Sequence, residues 1–165
     1  MRNIILTLLL AVSQLSLAQL GEGFDPDEAK ALISLCNSYT FQNLYQSDDK
    51  ILPKGYQKVF TSEIVGLDNQ FQVYKKDQVG VINFRGSSST IISWTANMYS
   101  AMIPSQGMIK INDKEKPYCF AKDTAASVHA GYALAVVFLS DMFLEQIRSL
   151  NDAGIYHIIL TGHSQ

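Results

Sequence analysis

The last ten residues constrain this chain most. Tyr156-His157-Ile158-Ile159-Leu160-Thr161 reads as a buried strand, and Gly162-His163-Ser164-Gln165 follows without a spacer. A strand running straight into a tight glycine–serine turn lifts the serine hydroxyl above the edge of a sheet. The backbone packs closely around such an apex, so small neighbours are needed. Gly162, two residues before the serine, meets that need, with His163 beside it as the second supporting residue of the elbow. A G-x-S triplet by itself says little, since Gly86-Ser87-Ser88 is another. The strand leading into Ser164 gives the triplet its meaning and marks that serine as a candidate nucleophile.

The elements before it fit the same architecture. A helix is predicted over 127–150, with Tyr132, Ala135, Leu139, Met142, Phe143, Ile147 and Leu150 as its buried stripe. Gly154 is its expected left-handed cap. The helix lies between two strands, 79–84 and 156–161, and a strand–helix–strand order favours a parallel pair. The earlier strand is apolar enough to be central. Upstream, strands are predicted over 57–65 and 71–74, with turns at 66–69 and 75–78. A helix opens at Asp25-Pro26-Asp27-Glu28, where Asp25 caps, Pro26 takes the first helical position and Glu28 completes a capping box. Ala29, Leu32, Ile33, Cys36 and Tyr39 recur at helical spacing behind it. The stretch 43–55 reads as loop, 87–103 as irregular with a short helix carrying Trp94, Met98, Tyr99 and Met102, and 104–124 mostly as loop. The fold class is α/β.

At 165 residues the length suits one domain at most. The apolar share of 47% is ample for a core, and a net charge of −2 lacks the basic face of a nucleic-acid binder. Met1-Arg2-Asn3 is a short positive start, 4–12 is nearly all apolar, and Ser16-Leu17-Ala18 puts small residues where a signal peptidase reads. Residues 1–18 are therefore expected to be a secretory signal cut after Ala18, and 19–165 the mature part, secreted or periplasmic. A membrane anchor is the competing reading, but the apolar run is about half of the ~20 residues a span requires. No later stretch looks long enough to cross a membrane. Cys36 and Cys119 are free to pair after export, or Cys36 acts as a small hydrophobe on a helix face. Two cysteines and three histidines make no zinc constellation.

Hydrolysis by serine needs a place for negative charge. N–H donors aimed at the developing oxyanion are each worth about 3 kcal/mol in the transition state. One is the backbone N–H after the nucleophile, here Gln165; the other comes from a loop after an earlier central strand. Phe84-Arg85-Gly86-Ser87-Ser88-Ser89 is such a loop, with Ser87 as the donor. Arg85 reads as an ion-pair anchor beneath it or, alternatively, as a contact for a substrate carboxylate. Lys110, Lys114 and Lys116 read as a solvated face.

Four markers occur in order: Val81-Ile82-Asn83-Phe84-Arg85-Gly86-Ser87-Ser88-Ser89, then Trp94, then Val128-His129-Ala130-Gly131-Tyr132, then Thr161-Gly162-His163-Ser164. Together they resemble the class 3 lipase family, the fungal-type triacylglycerol lipases. The resemblance runs from the helix near Asp25 to the C-terminus. It implies part of an α/β-hydrolase fold, a mixed and mostly parallel sheet with flanking helices, truncated after the nucleophile strand. Ser164 would be the nucleophile, and Ser87 and Gln165 the oxyanion hole. Residues 88–94, including Ser88, Ile91, Ile92 and Trp94, would form a lid over the substrate groove, though those apolar residues could equally be ordinary packing. The substrate would be a lipid ester met at a lipid–water interface, with no metal or organic cofactor.

Two departures stand out. The family has aspartate three residues after its tryptophan, and this chain has Asn97. The family's triad runs Ser, Asp, His, and the last two would fall beyond Gln165. None of His129, His157 and His163 is well placed to serve as base, and Asp123 and Asp141 read as surface or cap residues. The other class of function is an exported, non-catalytic module that binds lipid or a partner.

Overall fold

The computed structural model describes residues 23–45, 52–88, 90–99, 101–111 and 113–163. The expected leader, Ser89, Ser164 and Gln165 lie outside the described residues. Helix α1 (Pro26–Tyr45) is followed by strands β1 (Gln57–Thr61), β2 (Phe71–Lys76) and β3 (Val79–Phe84), and then by helix α2 (Ile91–Met98). Four short strands come next: β4 (Met102–Pro104), β5 (Gln106–Ile111), β6 (Lys114–Cys119) and β7 (Ser127–His129). Helix α3 (Ala130–Asp152) leads to β8 (His157–Gly162).

The main sheet has the order β1-β2-β3-β8. β3 is central, as its mostly apolar sequence led one to expect. It pairs antiparallel with β2 and parallel with β8, while β1 pairs antiparallel with β2. The sheet is thus mixed, but among the described strands it is mostly antiparallel, not mostly parallel as expected. The single parallel step is the one whose connection includes α3, because a parallel pair needs a long crossover to return the chain in the same direction.

Period-two alternation splits the core between the two faces. Phe71, Val73 and Ile82 point to α3 and meet Leu139, Leu150 and Ile155, with Phe84, Phe143 and Ile147 around them. Tyr74 and Val81 point the other way and meet Leu35 and Tyr56, with Ala31, Leu32 and Ile159. Asn83 is fully buried on this second face and donates Nδ2 to the Leu35 carbonyl at 2.9 Å, which ties α1 to the central strand. Gly80 in β3 is needed because a Cβ there would come within 2.8 Å of Leu150 Cδ1. That vacancy is what lets the C-terminal turn of α3 close onto the sheet.

Several expectations need correction. Asp25 does cap α1, its Oδ1 accepting from the amides of Asp27 and Glu28. The buried stripe is rotated, however: Leu35 is fully buried and Ile33 is exposed. The helix also runs on to Tyr45, into the stretch read as loop. Helix α3 begins at Ala130, since Ser127–His129 pairs with β4 instead. Tyr132 is exposed, while Ala133 and Val137 are buried. Gly154 adopts φ +79° as the cap predicted it would. The stretch 104–124 is no loop, since β5 and β6 form a hairpin of six paired positions. Strand β8 is half-buried rather than buried, with Leu160 exposed. By length and composition alone α3 is apolar enough to cross a membrane, against expectation. Its apolar stripe is instead packed on the sheet. Cys36 and Cys119 are both free thiols.

Candidate active site

The parallel register sets the site. Phe84 and Gly162 are opposite one another, so β3 and β8 leave the sheet at the same end, side by side. His163, the last described residue, and the loop 85–88 therefore start from adjacent strand ends. Ligand chemistry in open α/β sheets gathers at such carboxyl ends. A Cβ on Gly162 would lie 3.1 Å from the Phe84 carbonyl oxygen. Glycine is thus favoured there by the closeness of the two backbones. His163 is exposed, and Ser164 and Gln165 lie outside the described residues.

The loop after β3 is braced from below by Asp68. Arg85 Nη2 is 2.6 Å from Asp68 Oδ1, with the two side chains 14% and 13% exposed. Arg85 also donates to the Asp68 carbonyl and, through Nη1, to Gln70 Oε1 at 3.3 Å. The anchor role expected of Arg85 is the one its contacts support, since Asp68 occupies its guanidinium. Asp68 Oδ2 accepts the hydroxyls of Ser88 and Thr90. Burial would raise the Asp68 pKa, but the hydrogen bonds from Ser88, Thr90 and Arg85 and the Arg85 charge outweigh it, and the net direction is down.

Helix α2 is turned inside out. Thr90 caps it by accepting the Ser93 amide at 3.2 Å. Ser93 and Asn97, one turn apart, face the protein. Ser93 Oγ accepts the Ser88 amide at 2.9 Å, and Asn97 Nδ2 donates to Ser87 Oγ at 2.7 Å. The opposite face carries Ile91, Trp94 and Met98, which are 87%, 54% and 79% exposed, with Ile92 beside them at 57%. The four-residue helical neighbourhood thus puts the polar pair inside and the apolar set in water, the reverse of an ordinary surface helix. Asn97, the departure from the family pattern, keeps a hydrogen bond to Ser87, and its buried Oδ1 has no partner among the described residues.

The Ser87 amide has no acceptor among the described residues. Among the described residues it is thus an unengaged donor, beside a hydroxyl whose oxygen accepts from Asn97. On the α3 side of the same sheet end lies a cleft of about 840 Å³, lined by Phe84, Tyr132, Val136, Phe143, Leu160 and Gly162 among others. His129 stacks on Tyr132 with ring centroids 4.4 Å apart, and its buried Nδ1 has no partner among the described residues. His157 is fixed in the strand opposite Val79. Asp141 pairs with Lys116 at 2.8 Å on the surface and Asp123 closes a turn onto the Ala125 amide. Lys110 pairs with Asp113 at 3.0 Å. Among the described residues no cluster of His, Cys, Asp or Glu could hold a metal ion. The sequence reading missed Asp68 and Ser93. A signal for the first existed: an arginine at the end of a buried strand requires a counter-charge.

No family model matches the sequence, and no curated protein matches it at a significant level. Solved structures do. A fungal lipase–inhibitor complex, described as a model for interfacial activation in lipases, aligns at 18% identity and a TM-score of 0.54 over 83% of this chain and 49% of that one. A deletion mutant of Rhizomucor miehei lipase in complex with its propeptide aligns at 18% identity and a TM-score of 0.50 over 83% of this chain and 41% of that one. The chain spans about half or less of the lipases it matches. It has a lipase-like α/β fold.

Proposed function

We propose that this chain is the front half of a secreted serine ester hydrolase acting on lipid esters. In this reading Ser164 attacks the ester carbonyl and forms an acyl-enzyme, which water then hydrolyses. The amides of Ser87 and Gln165 receive the oxyanion. Asn97 occupies the Ser87 oxygen as an acceptor, which leaves the Ser87 hydroxyl proton to donate as well. The triad's Asp and His are carried on sequence after Gln165. Without a base, a serine hydroxyl is a poor nucleophile at neutral pH, so the activity belongs to the longer polypeptide.

The supporting observation is the register of β3 and β8, with Phe84 opposite Gly162. It starts the donor loop and the elbow from neighbouring strand ends. The outward apolar face of α2 supports a lid that turns toward lipid, because exposed aliphatic and indole groups on a helix gain by entering an interface. The protein is exported, with its leader removed after Ala18.

The test uses the polypeptide encoded through the natural stop codon. A fluorophosphonate should label one serine, Ser164, and Ser164→Ala should remove both labelling and turnover of a short ester, a loss on the order of 10⁴-fold or more. The mature N-terminus should be Gln19. Labelling elsewhere, or turnover that survives Ser164→Ala, contradicts the reading and favours a module that only binds lipid.

A further inference from the structure

Asp68 does more than balance Arg85. Its Oδ1 takes Arg85 Nη2 at 2.6 Å, and its Oδ2 takes the hydroxyls of Ser88 and Thr90, the latter at 2.8 Å. Arg85 and Thr90 bracket Ser87 in the sequence. Thr90 is also the N-cap of α2. One carboxylate thus joins the end of the central strand, the donor loop and the start of the outward-facing helix.

We propose that Asp68 is a positioning residue for the loop after β3: its carboxylate holds Arg85, Ser88 and Thr90 and so fixes where Ser87 presents its donors and where α2 begins. The catalytic meaning of this rests on the hydrolase reading above, while the geometry stands without it.

The surroundings are built for the task. Asp68 sits at φ +65°, a left-handed conformation that aspartate tolerates better than most residues. The turn that carries it is closed by reciprocal backbone hydrogen bonds between Val65 and Asn69, at 3.0 and 2.9 Å. An ionised carboxylate is an acceptor only, and three side-chain donors converge on this one. A simple ion pair with Arg85 would use one oxygen and would leave Ser88 and Thr90 to water.

Asp68→Asn sets an amide donor against those hydroxyl donors, and the chain's single tryptophan, Trp94, reports the outcome from within α2. In the 165-residue chain, amide hydrogen exchange over 86–98 should speed up about tenfold, the scale of one charge-assisted hydrogen bond. Acrylamide quenching of Trp94 should rise with it, while the amides of β2 and α3 keep their rates. Ser88→Ala, which leaves the Arg85–Asp68 pair intact, should give the same pattern at smaller amplitude. The proposal is overturned if exchange over 86–98 and Trp94 quenching stay at wild-type values in both variants, or if exchange rises equally in β2 and α3. In the ester assay of the longer polypeptide, Asp68→Asn should lower kcat for a soluble substrate with KM unchanged. Absence of turnover in the unmodified polypeptide would remove the hydrolase reading and leave the exchange result to decide the role of Asp68.

Discussion

Replacing Ile91 by serine tests what the outward face of α2 is for. Ile91 keeps 87% of its surface in water. Burying an isoleucine side chain in full is worth about 2 kcal/mol, so moving this one into lipid should contribute about 1.5–2 kcal/mol. The substitution should therefore weaken partitioning onto a lipid surface roughly 10- to 30-fold, since 1.4 kcal/mol is a factor of ten. No residue in 86–109 carries a charge. The binding should then be equally strong on zwitterionic and anionic vesicles and insensitive to salt, unlike attraction through a basic patch. The assay is vesicle sedimentation together with the emission of Trp94, which should shift to the blue when the helix enters the interface. Folding should be untouched, because Ile91 touches little in the protein. Equal partitioning of Ile91→Ser and the parent chain, or a Trp94 spectrum indifferent to vesicles, refutes the reasoning and returns these residues to the role of a surface awaiting a protein neighbour.

Three further outcomes follow from the same geometry. Gly80→Ala should lower stability by about 1 kcal/mol through overpacking against Leu150, read as a lower denaturant midpoint; a raised midpoint contradicts the close approach at 2.8 Å. Asp68 has a folded pKa below its unfolded one, so its stabilisation is present above the ordinary aspartate value of about 3.9 and is lost as pH falls through the lowered folded value. Asp68→Asn should accordingly flatten the acid limb of the stability–pH profile, and an unchanged limb would contradict that assignment. Without reductant, thiol titration should find Cys119, which is exposed, reacting quickly and Cys36, 3.3 Å from Thr161 Oγ1, reacting slowly; a chain with no reactive thiols would contradict the free pair.

The parts of the fold legible in the sequence are those whose pattern has one physical meaning. The stretch 79–84, apolar but for Asn83, is best satisfied in the middle of a sheet, and it lies between β2 and β8. Gly154 ended α3 as a left-handed cap. The β5–β6 hairpin was hidden because both its faces meet water, so 106–119 shows lysines where alternation was sought. Its turn carries Asp113 at φ +63°, a local feature that composition does not reveal. The phase of α1 was misjudged because Leu32, Ile33 and Leu35 offer two competing stripes, and only contact with Val81 and Tyr74 decides for Leu35. In the site, Ser87 and Arg85 could be named from the strand that precedes them. Arg85 signalled that a counter-charge was needed, but not that Asp68 supplies it, since Asp68 lies in a turn whose sequence predicts bending and nothing about the loop it reaches. The outward set of α2 read as either lid or packing; Ile91, Ile92, Trp94 and Met98 are exposed, and the vesicle experiment above separates the two.

The most direct measurement is a crystal structure of the longer polypeptide carrying a phosphonate on Ser164. The account predicts the phosphoryl oxygen at hydrogen-bonding distance, about 2.7–3.1 Å, from the backbone nitrogens of Ser87 and Gln165. An adduct whose oxygen points away from the 85–88 loop, or a phosphonate bonded to any other residue, would contradict it.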